Sequence, residues 1–146
     1  MTTRSEVIAE ARRWIGTPFH HQAAVCRVGC DCIGLIGGVA IALGISGGAE
    51  WRDRPEYHNY AKQPDPRLLL RACDEFLNSI AIEEATLADI LLMRFEQDPM
   101  HFSLISSVWP PRVIHALSRL GYVAEHGSSE ILGGQIMRAY SFRGVT

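Results

Sequence analysis

The 146-residue chain has no apolar run long enough to cross a bilayer. Its longest, Ile33 to Ile45, is broken by glycines and falls short of the roughly 20 residues that a spanning helix needs. No membrane insertion is expected. The opening Met1-Thr2-Thr3-Arg4-Ser5-Glu6 lacks the apolar core of a secretory signal, so synthesis in the cytoplasm without a signal peptide is the expectation. A surplus of positive charge is missing too. With a net charge of −2 and scattered Lys and Arg, the chain offers no field to attract phosphates, which argues against nucleic acid as a partner. Internal repeats and low-complexity segments are absent. A hydrophobic fraction of 47% beside 21% charged residues is that of a globular protein. Residues 1–146 are therefore read as one domain, large enough to bury a core without disulfides or metals.

What is present falls into two halves. Thr3 with Glu6 forms a capping box ahead of a helix from Ser5 to Trp14 or Ile15, whose apolar face is Val7, Ala11, Trp14 and Ile15. Gly16-Thr17-Pro18 ends it, and Phe19 to Cys30 reads as an irregular loop. An apolar helix follows from Ile33 to Leu43, then Ser46-Gly47-Gly48 as a stop. Ala49 to Asp65 reads as a surface loop with little regular structure. Arg67 to Leu77 is a further helix. From Ile90 on, apolar runs are split by turn residues: Ile90–Phe95, His101–Val108, Arg112–Ala116 or Leu117, Gly121–Glu125 and Ile136–Phe142. Helices first and strands second predict an α+β fold, with N-terminal helices packed on a central antiparallel sheet.

The segment Asp31-Cys32-Ile33-Gly34-Leu35 carries the chemistry. Cys32 opens the apolar helix, where backbone N–H groups and the positive dipole end favour a thiolate. That is the mark of a nucleophile. His101 heads one strand and His115 lies in the next, so a hairpin can bring both to one end of the sheet. A cysteine, a base and a group that orients the base are what nucleophilic catalysis requires. Asp31 either caps the helix or binds a substrate amine, and Asp89 serves a turn.

In order, Asp31-Cys32-Ile33-Gly34-Leu35, Ala88-Asp89-Ile90-Leu91-Leu92-Met93-Arg94-Phe95, the strand opened by His101, and Ile114-His115-Ala116 resemble motifs of the NlpC-type cell-wall cysteine peptidases. Trp14-Ile15-Gly16-Thr17-Pro18-Phe19 looks like the family's Gly-x-Pro-Tyr segment, so the likeness spans nearly the whole chain. It implies a papain-like fold, no cofactor and no metal. It also implies hydrolysis of peptidoglycan stem peptides between D-γ-glutamate and the following diamino acid, with Cys32 as nucleophile, His101 as general base and His115 orienting it. Asp31, Phe19 and His20 fall in its substrate-binding region. Three positions depart from the pattern. Ile33 replaces a serine. Phe19 replaces a tyrosine, so a hydroxyl near the nucleophile is lost unless His20 or His21 substitutes for it. Ala88 replaces a glycine, a change expected to be harmless. The stretch from Glu10 to Gln22 and the form Gly-Cys-Asp-Cys-x-Gly-Leu at Gly29–Leu35 are similar to the subgroup encoded with phage tail genes and gene transfer agents. That implies tail-tip or hub proteins as partners and a place on a virion tail, acting in the periplasm or cell wall of a target cell.

Two other readings stay open. The chain could be a catalytically silent structural component of a tail tip, or a small metal-binding module using Cys26, Cys30 and Cys32 beside His20 and His21. A Cys26–Cys30 disulfide is a further option outside a reducing compartment. The Trp51–Tyr60 stretch reads either as a substrate rim or as an Ω-type loop pinned by its aromatics.

Overall fold

The structure is a computed structural model that describes residues 1–62, 65–95, 100–127 and 135–146. Helix α1 (Arg4–Arg13) begins at the expected cap: the Thr3 hydroxyl accepts from the Glu6 N–H, and the Glu6 carboxylate accepts from the Thr3 N–H. After Gly16, at φ +88°, the chain runs into strands β1 (Ala24–Val25) and β2 (Gly29–Cys30), which pair antiparallel. The expected loop from Phe19 to Cys30 therefore contains a short hairpin, turned by Arg27 at φ +65°.

Helix α2 (Cys32–Ala42) packs Leu35, Ile36 and Val39 into the main core and lies against strands β5 and β6, defined below. Its glycines are sites of close approach. A Cβ at Gly34 would lie 1.9 Å from the Ala23 carbonyl oxygen, one at Gly37 2.1 Å from the Trp51 ring, and one at Gly38 2.1 Å from the Trp14 ring. Each missing side chain is thus a socket for a neighbour.

The Ala49–Asp65 stretch differs from expectation. It holds helix α3 (Gly48–Arg52) and a 3₁₀ turn (Pro55–Tyr57), and Trp51, Tyr57 and Tyr60 are buried. Their aromatic area is turned inward, which orders a segment that its prolines and polar residues made look open. Helix α4 (Pro66–Phe76) then leads without a turn into β3 (Leu77–Ile80), a strand the sequence pattern did not reveal.

Strands β4 (Ile90–Arg94), β5 (His101–Ser107), β6 (Arg112–Leu117), β7 (Tyr122–Gly127) and β8 (Gln135–Phe142) complete the sheet. Among the described residues it has six strands in the order β3-β8-β4-β5-β6-β7, and every pairing is antiparallel. Alternation along the strands sends Ile90, Leu92, Phe102, Leu104, Ile114 and Tyr140 into the core beneath the helices. Leu91, Met93, Phe95 and Val113 form a second cluster on the other face. At the head of β4, Asp89 accepts from the Thr86 N–H at 2.9 Å and pairs with Arg4 at 2.6 Å, which ties the turn to α1.

Candidate active site

The start of α2 is held from three directions through Asp31. Its backbone is extended, and Oδ1 accepts from the Gly34 N–H at 2.7 Å, a helix N-cap. Oδ2 accepts from the Gln22 N–H at 2.8 Å and from the Tyr60 hydroxyl. Both oxygens of this buried carboxylate are engaged by the protein, so the capping role is the one the geometry displays. Tyr60 also takes Gln22 Nε2 on its carbonyl at 2.6 Å, with His21 Nε2 at 3.1 Å from the same oxygen. Burial first, then the Asp31 charge, raise the Tyr60 pKa far above its usual value, so the phenol stays a donor. The charge of Cys32 contributes to that shift, which puts the Tyr60 hydroxyl in the electrostatic neighbourhood of the thiol.

Cys32, half-buried, is the first residue of α2. Backbone pairings bring this point to the end of the sheet that carries the histidines. Phe19 bridges Cys30 and takes the Gly121 carbonyl, Pro18 bridges Tyr122, and Tyr122 pairs with Leu117 at the end of β6. In the antiparallel register of Leu104 with Ile114, the end of β6 lies beside the start of β5, where His101 stands. Because Phe102 and Ile114 face the helices, His101 and His115 share the opposite face, and the His101 ring lies edge-on to Phe95 at 5.4 Å. Their hydrogen bond is direct: His101 Nε2 to His115 Nδ1, 2.9 Å.

Both imidazoles are almost fully buried. Burial, then His115, then Arg119 push the His101 pKa down to about 3. Burial, then His126, then Arg119 push that of His115 down to about 4. Burial outweighs all else here, and both rings are neutral at neutral pH. Nε2 of His101 is committed to His115, so Nδ1 is the ring nitrogen turned elsewhere.

The remaining candidates lie apart from this pair. His20 is exposed, with its Nδ1 beside the carbonyl of His21 at 3.1 Å. Phe19 packs on the edge of the core. Cys30 is fully buried, and its pKa is pushed up to about 12 by burial and then by Asp31. The Cys26 thiol donates to the Arg13 carbonyl at 3.5 Å. Among the described residues no group of three or more His, Cys, Asp or Glu could hold a metal ion, and Cys26 and Cys30 are separate thiols. The metal-module reading therefore finds no ligand set among the described residues.

Two residues of the site escaped the sequence reading. Tyr60 sat within a stretch noted for its aromatics. His126, with Nδ1 3.4 Å from His115 Nε2, lies on β7 just past the expected end of that strand.

No protein-family model and no curated protein matches the chain. Solved structures do. The NlpC/p60 domain of the peptidoglycan hydrolase SagA is similar with a TM-score of 0.62 at 17% identity, over 96% of this chain and 99% of that one. A protein of Staphylococcus aureus subsp. aureus Mu50, described as similar to a lipoprotein of the NLP/P60 family, gives a TM-score of 0.61 at 17% identity. The match covers 94% of this chain and 40% of that one. The fold is therefore that of NlpC/p60 domains, the α+β fold expected from the motifs.

Proposed function

We propose that the protein is a cysteine peptidase that hydrolyses peptidoglycan stem peptides, with Cys32 as nucleophile, His101 as general base and His115 orienting His101. The observation that carries this reading is the direct His101–His115 hydrogen bond, at the sheet end where the capped helix bearing Cys32 begins. The NlpC/p60 fold, shared with a peptidoglycan hydrolase, supports the choice of substrate.

In the proposed cycle the Cys32 sulfur attacks the scissile carbonyl while His101 Nδ1 takes the thiol proton. Burial disfavours a standing imidazolium at His101, so proton transfer accompanies attack rather than preceding it. The Cys32 N–H at the helix start donates to the oxyanion, a contribution of roughly 3 kcal/mol for one such donor. His101 returns the proton to the leaving amine, and an acyl-enzyme forms. Water deprotonated by His101 then releases the acid. The bond proposed is that between D-γ-glutamate and the diamino acid, and the setting a phage-like tail that opens a target wall.

Synthetic stem peptides test the bond. Wild-type protein should split L-alanyl-D-γ-glutamyl-diamino acid peptides into a dipeptide ending in glutamate and a fragment starting with the diamino acid. Cleavage elsewhere in the peptide would reassign the bond.

A further inference from the structure

The histidine pair does not end at His115. We propose that His126 is the outer member of a chain of three imidazoles, a positioning residue that acts on His101 through His115. The inference rests on the peptidase reading and deepens it.

The contacts repeat with one polarity. His101 Nε2 meets His115 Nδ1 at 2.9 Å, and His115 Nε2 meets His126 Nδ1 at 3.4 Å. Successive rings are close to perpendicular, with centroids 5.0 and 5.2 Å apart. In a neutral imidazole one nitrogen donates and the other accepts, so fixing one ring fixes the next. If His101 is to present a bare Nδ1 to the thiol, its proton must sit on Nε2 and point at His115 Nδ1. His115 must then carry its own proton on Nε2, and that proton needs an acceptor. His126 Nδ1 is that acceptor. Without it, His115 could flip to the tautomer protonated at Nδ1, which would set two N–H groups against each other and turn His101 to the wrong form.

Exposure gives the chain a direction. His101 and His115 are 2% and 1% exposed, whereas His126 is half-buried. When His101 Nδ1 takes the thiol proton, its Nε2 proton can pass to His115 Nδ1, and the His115 Nε2 proton to His126 Nδ1. The positive charge then rests on the ring that water reaches, and returns by the same steps when the amine leaves. Arg119, after β6, acts on both inner rings, and Glu125, next to His126 on β7, is paired with Arg12 and Arg112. Arg119 opposes a cation on the two inner rings, which favours its release outward.

The test is the rate of Cys32 alkylation by iodoacetamide from pH 5 to 9, read by peptide mass spectrometry so that Cys26 is counted separately. His126→Phe should lower the rate at pH 7 by about tenfold and raise the apparent thiol pKa. His126→Asn, which keeps an acceptor at the δ position, should restore most of the rate. His101→Ala should be impaired at least as much as His126→Phe. Should His126→Phe match wild type while His101→Ala is impaired, the inference falls and the peptidase reading stands. An unaltered profile for His101→Ala would overturn both. Should His126→Phe not fold, ¹⁵N chemical shifts of the wild-type rings decide. All three rings protonated at Nε2 supports the chain, and His115 protonated at Nδ1 refutes it.

Discussion

Acid should unfold this protein earlier than its carboxylates alone would dictate, because two neutral imidazoles are buried together. The folded-state pKa values of His101 and His115 lie near 3 and 4, below the ordinary 6.5. As pH falls below 6.5, the unfolded chain takes up two protons that the folded chain refuses. Stability is complete above about pH 7.5 and is lost as pH falls from 6.5 towards 4. Two protons give a limiting slope of about 2.7 kcal/mol per pH unit, so the step from pH 6 to 4.5 removes up to about 4 kcal/mol. That is a large share of the roughly 5–15 kcal/mol that holds a typical domain together. The carboxylates whose pKa is lowered, Glu6, Glu56, Asp65, Glu75 and Glu125, lose their contribution below their ordinary values of 4.5 and 3.8. The window from pH 6.5 to 4.5 therefore reports on histidine. Urea unfolding followed by the fluorescence of the buried Trp14 and Trp51, repeated across this window, measures the slope. His115→Gln should lower stability at pH 7 and halve the slope to about 1.4 kcal/mol per unit. A flat profile in wild type, or a slope that His115→Gln leaves intact, would refute the burial argument.

Three further outcomes are expected. Gly38→Ala gains about 1 kcal/mol of helix propensity but drives a methyl into the Trp14 ring, which costs about 1–3 kcal/mol; a lower Tm by calorimetry checks the balance, and an unchanged or higher Tm contradicts it. Tyr60→Phe removes one of the donors to the buried Asp31 carboxylate, which should cost about 2 kcal/mol in urea unfolding at pH 7, whereas a neutral effect would mean that Gln22 and Gly34 suffice. A disulfide reagent should titrate only Cys26 and Cys32 quickly in the native protein and all 4 cysteines in urea, since Cys30 and Cys73 are buried with thiol pKa values pushed up to about 12.

Much of this was readable from local chemistry. The Thr3–Glu6 capping box, the Asp31 cap and the strands from Ile90 to Phe142 obey short-range rules of capping and alternation, and the structure follows them. What escaped depends on distant partners. Strand β3 is polar in its middle and is a strand because it pairs with β8, more than fifty residues away. Trp51 and Tyr60 look like surface aromatics until the glycines of α2 and the carboxylate of Asp31 receive them. Ala88, taken as a harmless replacement for glycine, sits at φ +67°, a region that costs an alanine roughly 1–2 kcal/mol. The sequence pattern predicts β7 to end at Glu125, whereas the strand continues to Gly127 and so includes His126.

Cys32 is the proposed nucleophile of a peptidoglycan hydrolase. Digestion of purified peptidoglycan by reduced wild type and by Cys32→Ala, with mass spectrometry of the soluble products, tests it most directly. Fragments ending in D-glutamate released by wild type and absent with a folded Cys32→Ala are the expected result. Equal release by both proteins, or none by wild type on walls of several diamino-acid types, would contradict the claim.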